Sequence, residues 1–159
     1  MTIPNLIMLT MGVAGYHGLD PDLFTRLVYA ESRYDPQAVN GQSVGLCQVN
    51  LGAWPLEDWV ITTINPYDPY ANLMQGGYIL SLMMERYTWQ GNAVAAYMMG
   101  QGRVDRMIDT YGWDWQRELD DAKADYVGFV AHDDYDTRFG SWSWRDAMPA
   151  PEVRRRTPR

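Results

Sequence analysis

Asp20-Pro21-Asp22-Leu23-Phe24-Thr25-Arg26-Leu27-Val28-Tyr29-Ala30-Glu31-Ser32-Arg33-Tyr34-Asp35-Pro36 is the stretch that decides the reading of this chain. Asp20 is a helix-capping residue type, and Pro21 sits in the first turn, where a missing N–H costs nothing. Leu23, Phe24, Leu27 and Val28 recur at helical spacing and form one apolar face. Glu31 lies eight residues after Leu23 and four after Leu27, so it projects from that same face, one turn further on. Asp35-Pro36 stops the helix. A carboxyl group is thereby delivered to the edge of a core, where the loss of hydration raises its pKa and suits it to give a proton near neutral pH.

Working outward, the same grammar recurs. Toward the amino terminus a helix is predicted over Pro4–Tyr16, closed at His17-Gly18. Downstream, a polar loop through Asn40-Gly41-Gln42-Ser43 leads into Val44–Val49, read as a short helix, and the stretch Asn50–Pro66 reads as loop. Asp68-Pro69 repeats the cap-plus-proline start. Leu73, Met74, Tyr78, Leu82 and Met83 then mark what reads as the central helix, running toward Tyr87. Gly76-Gly77 inside it imply that another backbone passes close by. Further helices are predicted over Asn92–Met99, closed by Gly100, around Val104–Tyr111, closed by Gly112, and from Leu119 through Tyr126 and Phe129 to Ala131. Alternating runs suggestive of sheet are scarce. The fold class is therefore all-α, with about six to seven helices in one domain over residues 1–131. Residues 132–159 form an irregular extension, with Trp142 and Trp144, expected to be dispensable for activity on isolated substrate; its basic run Arg154-Arg155-Arg156-Thr157-Pro158-Arg159 reads as a solvated terminus, with a docking segment as the alternative.

Composition narrows the function. A formal net charge of −7 disfavours nonspecific nucleic-acid binding, which is dominated by neutralised phosphates. The lone cysteine, Cys47, excludes an intramolecular disulfide and reads as a small buried apolar side chain. No spacing of Cys and His suits zinc, and no cofactor or metal is expected. No apolar stretch reaches the length of a membrane span, and no basic residue precedes the apolar amino terminus as a secretory signal would require.

Four blocks together carry more information than any one residue. Glu31-Ser32-Arg33-Tyr34-Asp35-Pro36-Gln37-Ala38 is followed by Ser43-Val44-Gly45-Leu46-Cys47-Gln48-Val49. Asp68-Pro69-Tyr70-Ala71-Asn72-Leu73 through Tyr78-Ile79-Leu80 comes next, and Ala93-Val94-Ala95-Ala96-Tyr97 through Gly100-Gln101-Gly102-Arg103-Val104 last. In this order they resemble the signature blocks of the soluble lytic transglycosylases, relatives of goose-type lysozyme. The resemblance implies a lysozyme-like helical lobe that cleaves the bond between N-acetylmuramic acid and N-acetylglucosamine in peptidoglycan glycan strands. It implies Glu31 as the acid/base, and Tyr97 as a tyrosine whose hydroxyl orients the carboxyl or the substrate. It also implies Ser32 supporting the local turn at the substrate site, with Ser43 and Gln48 lining the sugar cleft. A single glutamate serves twice if the sugar's acetamido group supplies the nucleophile that a second carboxylate provides in ordinary glycosidases.

Two positions depart from the family pattern: Met98 stands where relatives carry asparagine, and Cys47 where they commonly carry methionine or glycine, a place a small thiol should fit. Two alternatives stay open beside the transglycosylase. One is a hydrolytic muramidase in which Asp58 or Asp68 positions water; the other is a non-catalytic wall-binding or virion component. The sequence is also expected to be that of a bacteriophage protein, made in the bacterial cytoplasm and carried in the virion to act on the cell wall. It would then be held by tail or vertex proteins through the extension. Met98-Met99, Met74, Met83 and Met84 read as core filling, and Trp54 and Trp59 as either sugar-stacking or core-covering rings.

Overall fold

In the computed structural model, residues 1–50, 65–133, 137–140 and 142–148 are described. Trp54, Asp58, Trp59 and the basic run from Arg154 lie outside them, as does the Trp144 side chain. Helix α1 covers Ile3–Tyr16 and α2 covers Pro21–Ser32. The Asp20 carboxylate accepts from the N–H groups of Asp22 and Leu23 at 2.7 and 3.2 Å, the cap its position implies. Leu23, Phe24, Leu27 and Val28 are all buried, each stabilising the fold by roughly 1.5–3 kcal/mol relative to exposure. After Ser32 the chain turns through two consecutive left-handed residues, Arg33 and Tyr34, with φ of 54° and 64°. A bulky aromatic rarely adopts that conformation, and Tyr34 does so while buried at 3% exposure.

Where a short helix is predicted over Val44–Val49, the structure has a three-stranded antiparallel sheet of two-residue strands. These are β1 (Val39–Asn40), β2 (Ser43–Val44) and β3 (Val49–Asn50), paired β1-β2-β3. Gly45 at φ 76° and Gln48 at φ 48° make the bend from β2 to β3, a path no helix could follow. Asn72 fixes it from α3. Its Nδ2 donates to the carbonyls of Val44 and Pro66, both at 2.9 Å, and its Oδ1 accepts from the Cys47 N–H at 2.8 Å. A Cβ on Gly45 would lie 2.3 Å from the Asn72 amide, so the glycine is required by contact as well as by φ.

Helix α3 spans Pro69–Arg86, capped by Asp68 through the Ala71 N–H at 2.9 Å. The Gly76-Gly77 pair is crossed by side chains rather than by backbone. A Cβ on Gly76 would fall 2.4 Å from the Cys47 side chain, and one on Gly77 would fall 2.7 Å from the His17 ring. Helix α4 (Gln90–Met99) is the enclosed element: Ala93, Val94, Ala95 and Ala96 have no exposed surface, as befits a helix that is apolar all round. It contacts α3, α5 (Gln101–Tyr111) and α6 (Asp121–His132), with a 3-10 helix over Gly112–Glu118 between the last two.

Two side chains hold α6 against the body by satisfying carbonyls at its carboxyl end. Arg26 Nε of α2 donates to the Val130 carbonyl at 3.1 Å, and Gln90 Nε2 donates to that of Ala131 at 2.5 Å. The segment beyond is not set apart from the body. Phe139 stacks on Phe129 at 4.8 Å, Trp142 stacks on Tyr29 at 4.2 Å, and a short helix α7 (Trp144–Ala147) contacts α1 and α2. Residues 137–140 and 142–148 thus form part of the cover of α2 and α6. Among the described residues no helix is long and apolar enough to cross a membrane.

Candidate active site

A cleft of about 960 Å³ opens between the end of α2, the small sheet, α3, and the junction of α4 with α5. Glu31, half-buried in the last turn of α2, lies on its surface. The Tyr126 hydroxyl, carried by α6, donates a short hydrogen bond to Glu31 Oε1. Burial raises the Glu31 pKa to about 7, and the bond from Tyr126 works against that rise by favouring the charged form. Near neutral pH the carboxyl is therefore populated in both protonation states, as a group needs to be if it is first to give a proton and then to take one. Among the described lining residues Glu31 is the single carboxylate.

Of the residues singled out from sequence, Glu31, Tyr97, Ser43 and Gln48 are brought together on this cleft, and Ser32 is not among its lining residues. The Ser32 hydroxyl donates back to the Val28 carbonyl at 3.1 Å inside α2. Gln48 Nε2 donates to the Ala38 and Gly45 carbonyls at 3.1 and 3.0 Å, so both of its N–H bonds stabilise the sheet. The Tyr97 hydroxyl donates to the Cys47 carbonyl at 2.8 Å. It is near enough to Glu31 for that charge to help raise its pKa, though burial is the main cause. Asp68, considered as a water-positioning base, caps α3 and is not a lining residue. Met98 and Met99 line the cleft with Ile79, Leu82 and Met83, so the methionine pair forms an apolar wall of the cleft while also packing against the core.

Sequence reasoning missed Tyr126, whose spacing on α6 reads as a core aromatic, and its ring is indeed 4% exposed. The available signal was chemical: a buried phenol needs a hydrogen-bond partner where a phenylalanine does not. Asn72 was missed in the same way, a buried amide inside an apolar helix. Three non-glycine residues with positive φ, Arg33, Tyr34 and Gln48, flank Glu31 and the sheet. Such backbone strain of order 1–3 kcal/mol per residue gathers at sites that must hold a fixed geometry. No group of side chains suited to holding a metal occurs among the described residues.

Helical body, small sheet and cleft glutamate together define a lysozyme-like helical domain. Its particular family is that of the transglycosylase SLT domain, to which this chain belongs: the family model matches residues 12–119. The fold is also similar to the X-ray structure of an inactive mutant of the lytic transglycosylase Slt from Pseudomonas aeruginosa, with a TM-score of 0.63 at 22% identity over 77% of this chain. This chain spans 22% of the length of that protein. No match is found among curated protein sequences. Tyr126 lies beyond the matched segment.

Proposed function

We propose that this domain cleaves the β-1,4 bond between N-acetylmuramic acid and N-acetylglucosamine in peptidoglycan by intramolecular transglycosylation. The observation that carries the reading is the solitary Glu31, with a pKa of about 7 and held by Tyr126, in a cleft where no second carboxylate is found among the described lining residues. The neutral carboxyl gives its proton to the departing glycosidic oxygen as the acetamido oxygen of the muramic sugar bonds to C1. The resulting carboxylate, steadied by the Tyr126 hydroxyl, takes the proton of the C6 hydroxyl as that oxygen displaces the acetamido group from C1. A 1,6-anhydro ring closes and no water enters the product. Family membership supports the substrate, and the single carboxylate among the described lining residues supports a route without an activated water.

Mass analysis of a peptidoglycan digest tests this. Anhydromuramyl ends are expected; products heavier by one water per cut mark a muramidase instead, and an intact polymer marks a binding domain. A phage particle as the carrier belongs to the same proposal. Its support is the run of arginines from Arg154 on a chain of net charge −7, a basic segment suited to docking on an acidic partner. Proteomics of purified particles decides it: presence in intact virions is expected, and presence only in late lysates means a free lysis enzyme.

A further inference from the structure

The catalytic proposal draws on α2, the sheet, α4 and α6, yet one lining residue comes from beyond all of them. Arg138, in the turn after α6, faces the same cleft as Glu31 and Tyr126. Its backbone is anchored on both sides. The Arg138 N–H donates to Asp125 Oδ2 at 3.3 Å, and the next residue, Phe139, stacks on Phe129 at 4.8 Å and meets Tyr126 edge-on at 6.4 Å. The guanidinium carbon lies 5.0 Å from the Phe139 ring centre, a cation–π contact that steadies the head group without neutralising it.

Charge bookkeeping around the cleft singles this residue out. Arg86 also lines it, but Asp105 lies 2.5 Å from Arg86 and further accepts from the Tyr87 hydroxyl at 2.7 Å, so that cation is already matched. Among the described residues no carboxylate pairs with the Arg138 side chain. Nor does Arg138 tune the acid: the causes that set the Glu31 proton are burial and Tyr126. What remains is an exposed, positioned guanidinium on the wall of a cleft, in a chain whose net charge of −7 otherwise repels anions. A guanidinium presents paired N–H donors in the plane that a carboxylate matches.

We propose that Arg138 is a specificity-determining residue that receives a carboxylate of the wall strand in the cleft, from a stem peptide. The identity of the strand rests on the proposed function; the carboxylate position rests on Arg138 itself. It lies outside the segment matched by the family model, residues 12–119.

The test measures binding rather than turnover. Glu31→Gln, with and without Arg138→Gln, is titrated against soluble peptidoglycan strands in three forms: native, with carboxylates capped as amides, and stripped of peptides by an amidase. On native strands the arginine substitution is expected to weaken binding about fivefold, the upper range for an exposed charge pair, and on capped strands the two proteins should bind alike. Loss of the difference on stripped strands assigns the partner to the peptide. Persistence there assigns it to the freed lactyl carboxylate of the muramic sugar, overturning the peptide assignment. Equal weakening on native and capped strands, or none on native strands, overturns the proposal. Carboxylate-dependent binding by a domain that never cuts would sink the enzymatic reading while leaving Arg138 its role, and cutting without carboxylate dependence would do the reverse.

Discussion

Tyr97 and Tyr126 both line the cleft beside Glu31, and their hydroxyls do different things. Tyr97, from α4 and inside the segment matched by the family model, donates to the backbone carbonyl of Cys47 and so ties the sheet to the helical body. Tyr126, from α6 and outside that segment, donates to the carboxyl itself. One bond is to the backbone, and the other is to the cleft carboxyl that the proposed function makes the acid. The difference teaches that closeness to an acid does not assign a role; the acceptor of each hydroxyl does. Both phenols have pKa values raised well above the ordinary one, chiefly by burial, so each stays a donor throughout the pH range in which Glu31 titrates.

The comparison stands or falls first on Glu31. Glu31→Gln is expected to fold and to lose at least about 100-fold in cleavage rate, because the amide keeps the shape but cannot carry the proton. Stability gives a second reading. Folding raises the carboxyl pKa from 4.5 to about 7, so between those values the native state holds the proton more tightly than the unfolded chain does. The neutral carboxyl's contribution is complete below the lower value and is lost as pH rises through the upper one. Glu31→Gln should therefore gain on wild type by up to about 3 kcal/mol between acid and mildly alkaline pH. Urea unfolding at both ends of that range measures it. A constant difference would mean that the carboxyl is not buried as described, and wild-type turnover by the variant would remove Glu31 from the mechanism.

Tyr126→Phe sharpens the contrast. Its bond to Glu31 lowers the carboxyl pKa against the rise caused by burial, so without it the pKa should climb further. The falling limb of the pH–rate profile should move to higher pH, and the rate at neutral pH should drop about tenfold as the carboxylate loses its donor. An unmoved limb would make Tyr126 a packing residue.

Much of this was legible in the order of residues. The Asp20-Pro21 and Asp68-Pro69 pairs marked two helix starts because capping is a local event, settled within one turn. Glu31 was legible because the helical period alone puts it on the face of Leu23 and Leu27. The sheet was not, since strands of two residues are too short to show alternation, and its bend depends on Asn72, more than twenty positions away from Gly45. Tyr126 was hidden for a related reason: its ring obeys the core pattern of α6, while its hydroxyl finds a partner 95 residues back along the chain. The cover formed by Phe139 and Trp142 was invisible too, because stacking on Phe129 and Tyr29 leaves no periodic trace. Local grammar exposed the frame and the acid, and long-range hydrogen bonds completed the site.

The smallest expected effect belongs to Tyr97→Phe, and its size is what separates the two tyrosines. The ring keeps its packing, so the loss is a single hydrogen bond to the Cys47 carbonyl, worth about 1 kcal/mol net when its partner stays buried. That should lower the melting temperature by about 2–4 °C for a domain of this length. The same carbonyl sits beside the Cys47 side chain that fills the space over Gly76, so the loosening should be felt in the sheet and hence in KM. The alkaline limb of the pH–rate profile should stay where it is in wild type, since hydrogen bonding from Tyr97 does not figure among the causes that set the Glu31 proton. A limb that shifts as far as it does in Tyr126→Phe would show that the Tyr97 hydroxyl leaves Cys47 for Glu31 once substrate binds. The two tyrosines would then be a pair of donors to one carboxyl, and the division between backbone and carboxyl acceptors would collapse.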